Sequence, residues 1–278
     1  MTTPRQPQPD DAVLGGQSAA PMDGAVLGGI EGVKQRFEVG DIEQKKQALD
    51  QALQYGDRGL DFLVVVSEGE FSTEIKGYAK RLRVLEILKQ PGPATLVGMD
   101  LTGINFNGVD LSGINLKGAD LSGANLRGAI INSDTQIDPK WRLVWEIVNL
   151  GIDNRNLSGL DLTHADLMGV NLRRTDLNGA NLTGTNLMGA DLSEVNLERA
   201  RLRGVNLRET NLERANLKEA DLGWAKLEET NLKGVDLSRA WLRGVNLREA
   251  NLEKANLKGA DLSETNFTKA NLKEADLS

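Results

Sequence analysis

The sequence predicts a mainly β protein, a coil of short repeated units preceded by a small α-helical N-terminal domain. Three observations point there. From Leu157 to Leu277 a leucine stands at every fifth position, with Phe267 as the single substitute, giving 25 units. Aromatic residues make up only 4% of the 278-residue chain against 40% hydrophobic residues, so the core must be built from Leu, Ala, Val and Ile in small, uniform layers. Between residues 25 and 90 the five-residue spacing is absent, and apolar residues recur at helical intervals instead.

Repetition governs the rest of the reading. Representative units are Ala165-Asp166-Leu167-Met168-Gly169, Ala180-Asn181-Leu182-Thr183-Gly184 and Ala255-Asn256-Leu257-Lys258-Gly259. An earlier block is centred on Leu96, Leu101, Phe106, Leu111, Leu116, Leu121, Leu126 and Ile131. Asn or Asp precedes the centre in 22 of the 25 later units, and Arg201, Lys226 and Trp241 are the exceptions. Two residues before the centre stands Ala, Val or Thr in nearly every unit. A period of five matches neither a helix nor a flat strand, nor a coiled-coil heptad. The recurrent Gly and Asn weaken a helix further. Such a unit can form one short side and one corner of a coil. The central Leu and the small residue two before it then point inward, and the other three positions face outward.

These Ala-(Asp/Asn)-Leu-x-x units resemble the pentapeptide repeat family, almost without a break through the second half of the chain. The resemblance implies a right-handed quadrilateral β-helix, a pentapeptide-repeat solenoid with four units per coil over residues 94–278. The 33 units would make about eight coils, roughly 40 Å long at the spacing of stacked strands. Outward residues twenty apart should then stack, and their charges alternate: Glu213, Lys233, Glu253, Lys273; Arg174, Glu194, Arg214; Arg208, Glu228, Arg248; Arg199, Glu219, Arg239. One column, Glu209, Glu229, Glu249, breaks the rule; it reads as a solvated face eased by Arg208 and Arg248, with a binding site as the alternative.

Residues 1–24 contain Pro4, Pro7, Pro9 and Pro21 with few large apolar side chains, and read as a disordered tail. Residues 25–90 read as a helical capping domain. Gly32 to Phe37 and Asp41 to Tyr55 are helical, with Asp41 as N-cap and Gly56 as a stop. Leu60 to Val66 fits a buried helix, and Phe71 to Lys89 places Ile75, Tyr78, Leu82, Leu85 and Leu88 near one face. This segment resembles a short HEAT-like helical pair. Pro91-Gly92-Pro93 ends it. Residues 132–156 interrupt the repeats. Asp138-Pro139 starts a helix, and Trp141, Val144, Trp145 and Val148 form its apolar face. Folding back to bury both tryptophans is the preferred reading, a partner-docking helix the other. Similar insertions occur in cyanobacterial-type members of the family that is resembled.

Composition narrows the chemistry. The chain has no cysteine, which excludes disulfides, thiolate catalysis and Cys-ligated metal, and a single histidine, His164, read as a solvated surface group. No apolar run is long enough to span a bilayer, and the N-terminus lacks a signal peptide, so the expected location is cytoplasmic. A net charge of −7 argues against a general nucleic-acid binder. A coil filled by Leu and Ala offers no catalytic pocket, and the Asp residues before each centre are read as corner hydrogen-bonders. No enzyme activity, cofactor or metal is expected.

Two departures from the repeat suggest a protein-binding face. Trp241 replaces the usual Asn or Asp, and Trp224 occupies an outward position between Gly204 and Gly244. Arg201, Arg203 and Arg243 fall on the same side, and an exposed Trp–Arg cluster has the composition of interface hot spots. The competing reading is that each indole only covers glycine backbone. A second candidate is the final coil, whose Leu262, Phe267, Leu272 and Leu277 would lie open and could stack on another copy as a homo-oligomer. The expected function is a non-enzymatic protein–protein interaction scaffold or adaptor. The alternative, a DNA-mimic modulator of a type II topoisomerase, is disfavoured because residues beyond 95 carry 22 basic and 26 acidic groups in alternation.

Overall fold

The computed structural model describes residues 28–89, 95–152 and 155–278. The expected disordered tail and the Pro91-Gly92-Pro93 boundary lie outside the described residues. The chain divides into two compact units, Met1–Ala94 and Thr95–Ser278.

The first unit is helical, with α1 (Gly29–Val39), α2 (Ile42–Ala52), a 3-10 turn (Leu53–Tyr55), α3 (Asp57–Glu68) and α4 (Thr73–Lys89). Asp41 caps α2 through a reciprocal box: its carboxylate accepts the Gln44 amide, and the Gln44 side chain accepts the Asp41 amide, each at 2.9 Å. Gly56, at φ +55°, turns the chain into α3. Gly59 lets α3 press on α2, because a Cβ there would sit 1.8 Å from Ala52 O. Phe37 anchors the core, meeting Phe62 and Phe71 edge-on at 5.3 and 5.2 Å between ring centres. On α4 the buried residues are Ile75, Ala79, Leu82 and Val84, whereas Leu85 and Leu88 are only half-buried. The apolar spacing thus located the helix and misplaced part of its face.

In the second unit each five-residue step makes one side, and each side pairs in parallel with the residue twenty further on. Asp161–Asn181, Asp166–Asn186, Asn171–Asp191 and Asp176–Asn196 close one turn of four sides. Sides one to four are named here for the columns beginning at Asn156, Asp161, Asp166 and Asn171. The pairing is one residue wide because a corner follows immediately. Central leucines and the small residues two before them are buried throughout the inner coils. The second corner residue adopts left-handed φ: glycine at all seven such positions from Gly98 to Gly128, but also Arg, Glu, Lys, His164 and Trp224 after the interruption. Not every other position faces outward, since Ser193 and Glu228 are buried.

Residues 132–156 form one aberrant coil. Gln136 pairs with Asn115 at a spacing of 21, and Asn156 resumes side one with Asp176. Between them α5 (Pro139–Leu150) takes the place of the missing sides. At two successive corners the flanking coils touch directly: Gly123 N donates to His164 O at 2.7 Å, and the Arg127 guanidinium donates to Met168 O at 2.7 Å. Elsewhere α5 supplies side chains where a coil would supply backbone. Trp145 Nε1 donates to Ala129 O at 2.7 Å, and Gly128 N donates to Asn149 Oδ1 at 2.6 Å. Trp141, Val144 and Ile147 are buried while Trp145 and Val148 are half-buried, so the apolar face is rotated from the one the sequence suggested. Asp138 precedes Pro139 at the helix start without capping it, because its carboxylate accepts the Gly118 amide at 3.1 Å.

Candidate interaction face

The outward surface is organised by the residue before each leucine. Its Oδ1 accepts the amide two residues on, as Asn211 does from Glu213 (3.2 Å) and Asp221 from Gly223 (3.1 Å), which shapes the corner. On sides one, three and four most Asn Nδ2 groups also donate to the stacked residue one coil back. Asn216 to Asn196 (3.1 Å) on side one, Asn206 to Asn186 (3.0 Å) on side three and Asn231 to Asn211 (3.0 Å) on side four are examples. Among the described residues from 156 onward, side two carries no such ladder. Its column runs Asp161, Asn181, Arg201, Asp221, Trp241, Asp261.

The third departure, Lys226 on side three, is repaired from within. Glu228 turns in and accepts Asn246 Nδ2 at 2.8 Å, the bond that residue 226 would have taken. Arg208 also donates to this carboxylate, and that guanidinium holds Glu228 below the usual carboxylate range against the opposing cost of its burial. Its other oxygen has no hydrogen-bond partner. Arg208 therefore serves Glu228 rather than the Glu209 column it was expected to ease. Arg248 does ease that column, reaching Glu229 at 3.8 Å and Glu249 at 2.8 Å.

On side two, Trp241 is 59% and Trp224 54% exposed. Trp224 lies across Gly244, where a Cβ would be 2.8 Å from the indole, and the Arg203 guanidinium sits 4.9 Å from its ring centre. Trp241 has no glycine beneath it; it stacks between Asp221 and Asp261. Covering of a glycine thus describes Trp224 and not Trp241. Arg201, Arg203 and Arg243 lie on the same side as both. The arginines differ in their partners. Arg203 reaches Asp221 at 3.4 Å, Arg243 reaches Glu264 at 3.0 Å, and Arg199 and Arg239 share Glu219 at 2.9 and 3.9 Å. The Arg199 bond holds the Glu219 carboxyl below its ordinary range. Arg201 makes no ion pair among the described residues. Arg199, Ala200, Arg201, Glu219, Asp221, Arg239 and Trp241 line an open groove of about 680 Å³. Sequence reasoning did not single out Arg199, Glu219 or Arg239 as part of this face, although their stacking was legible as a column.

The other sequence candidates lie elsewhere. His164 is exposed, with its ring over Gly184. In the last coil Leu262, Phe267 and Leu272 are half-buried and Leu277 is 52% exposed, whereas Leu242, Leu247, Leu252 and Leu257 are buried. The helical unit carries a groove of about 490 Å³ with Phe37, Phe62, Val65 and Phe71 in its walls, which the sequence did not reveal. Among the described residues there is no cluster of His, Cys, Asp or Glu able to hold a metal ion, and no helix long and apolar enough to cross a membrane.

The sequence model described as "Pentapeptide repeats" matches eight copies, over residues 94–132, 156–194, 196–234, 225–248, 230–268 and 246–278, more than half of the chain. The chain belongs to the pentapeptide repeat family. Membership carries a right-handed β-helix, in keeping with the four-sided parallel stacking. Solved pentapeptide repeat proteins resemble it. Rfr23 from the cyanobacterium Cyanothece 51142 is 34% identical, covering 43% of this chain and 88% of its own, with a TM-score of 0.33. HetL from the cyanobacterium Nostoc sp. Strain PCC 7120, involved in heterocyst differentiation regulation, is 30% identical over 69% of this chain and 94% of its own, with a TM-score of 0.21. QnrB1, a plasmid-mediated fluoroquinolone resistance protein, is 17% identical over 66% and 79%, with a TM-score of 0.21. The comparison with curated proteins returns no match.

Proposed function

We propose that this pentapeptide repeat protein is a non-enzymatic interaction scaffold, and that side two around Trp241 and Arg201 is where it holds a protein partner. One observation carries the reading. Of the three residues that replace Asn or Asp in the column before leucine, Lys226 is compensated internally by Glu228, while Arg201 and Trp241 stay outward and take no ladder bond. A repeat that gives up a stabilising amide at two positions of one face, and leaves an indole and a guanidinium there, has the composition of a hot spot. The packed Leu and Ala interior leaves the outer faces as the working surface.

The DNA-mimic reading is weaker. Many acidic groups that would imitate phosphates are already paired: Glu194 with Arg174 at 2.9 Å, Glu219 with Arg199 at 2.9 Å and Glu253 with Lys233 at 3.3 Å. Crosslinking pull-down from native cell extract, with the wild type beside a Trp224→Ala/Trp241→Ala variant, tests the proposal. A partner lost only in the variant supports it. An unchanged partner set overturns the assignment of this face, and recovery of topoisomerase subunits revives the mimic.

A further inference from the structure

We infer that the side-two groove receives an acidic, apolar peptide segment of a partner protein, with one carboxylate on Arg201 and an aliphatic or aromatic side chain against Trp241. The inference rests on side two being the partner-binding face and adds the chemistry of what binds there. Both residues line the same groove, Arg201 at one end and Trp241 two rungs away, about 10 Å at the spacing of stacked strands.

The sign of the ligand follows from which charges are already committed. Glu219 is held by Arg199 and Arg239, and Asp221 by Arg203 and the Gly223 amide. Neither is available to attract a basic partner. Arg243 is taken by Glu264. Arg201 is the cation left over on this side, and it is held in place by backbone pairing with Asn181 and Asp221. A guanidinium with its fork unoccupied matches a carboxylate in bidentate fashion. Its nearest cations, Arg199 and Arg203, are committed to Glu219 and Asp221, the acidic row of Glu219 and Asp221 follows it, and Asp261 and Glu264 lie beyond Trp241. A continuous phosphate backbone would meet both acidic rows, whereas a single carboxylate set beside an apolar residue avoids them. Trp241, exposed and flanked in its column by Asp221 and Asp261 rather than by glycine, supplies the apolar end.

A display library of random dodecapeptides, selected against the full chain at near-physiological salt, tests this. Enriched sequences should carry Asp or Glu within a few residues of Leu, Phe or Trp. Resynthesised peptides should bind roughly tenfold or more weakly to Arg201→Gln, and comparably weakly to Trp241→Ala. Both substitutions are at exposed positions, and unchanged circular dichroism confirms that the variants fold. Peptides lost on Trp241→Ala but indifferent to Arg201→Gln would overturn the carboxylate assignment and leave the binding face standing. Peptides indifferent to both, or enrichment of basic sequences, would overturn the inference; indifference to both would also count against the face itself. A short DNA duplex followed by fluorescence anisotropy is the remaining arm: binding abolished by Arg201→Gln would replace the acidic peptide with a nucleic acid.

Discussion

Asn149→Ala isolates the device that lets a helix stand inside a β-helix. Its side chain makes three hydrogen bonds: Oδ1 accepts from Gly128 N at 2.6 Å, and Nδ2 donates to Leu126 O at 3.0 Å and to Trp145 O at 2.9 Å. At a net value near 1 kcal/mol each, the loss would be about 3 kcal/mol. Two effects reduce it. Leu126 O keeps the Ala129 amide at 3.1 Å, and Gly128 is exposed, so water can reach its freed N–H. Alanine also favours the helix by about 0.6 kcal/mol over asparagine. The expected net destabilisation is therefore about 1–2 kcal/mol. It should fall on the junction, because solenoid stability is a sum of units and nearest-neighbour interfaces. Urea unfolding followed by circular dichroism gives the total, and amide hydrogen exchange locates it. Gly128 N–H should exchange roughly tenfold faster while amides beyond residue 200 keep their protection. An unchanged midpoint with unchanged Gly128 protection would refute the idea that side chains of α5 replace the missing rung.

Three further outcomes are expected. Gly189→Ala meets no atom within 4 Å and should cost only the left-handed φ, about 1 kcal/mol, whereas Gly184→Ala also places a Cβ 2.5 Å from His164 Nδ1; thermal melts should show a larger loss at 184, which His164→Ala brings down to the value at 189. Lys226→Asn supplies a ladder donor to Asn206 and an acceptor for Asn246, and should raise stability by roughly 1 kcal/mol in urea unfolding. Arg208 holds the Glu228 carboxyl below its ordinary value, so its stabilisation is present above the unfolded carboxylate range and lost as pH falls through the folded one; between about pH 6 and pH 3 the urea midpoint of Glu228→Gln should fall less steeply than that of the wild type.

Much of the face was legible before the structure, because stacking at a spacing of twenty turns linear distance into spatial neighbourhood. Trp224, Trp241, Arg201, Arg203 and Arg243 could be put on one side from numbering alone. What numbering does not carry is which partner a flexible guanidinium selects. The Arg208–Glu228 pair was readable as a column, but not that Glu228 would turn in to fill the ladder position that Lys226 had vacated, drawing the Arg208 guanidinium with it. Likewise the sequence puts Arg201 before its leucine and Arg203 after it, on the same side, but does not say that Arg203 lies over Trp224 and reaches Asp221.

By itself the sequence determined the repeat, the inward leucines, the twenty-residue coil and the place where the coil is interrupted. The repeat, the inward leucines and the interruption follow from periodicity, which is a property of the chain; the twenty-residue coil is what the family resemblance implies, supported by charges that alternate at that spacing. The tertiary structure decided how α5 is turned, that Trp145 and Asn149 take over bonds of an absent coil, and that Arg201 makes no ion pair among the described residues. Those outcomes depend on competition among side chains from different coils for the same acceptor, and such competition is settled only when the coils are stacked.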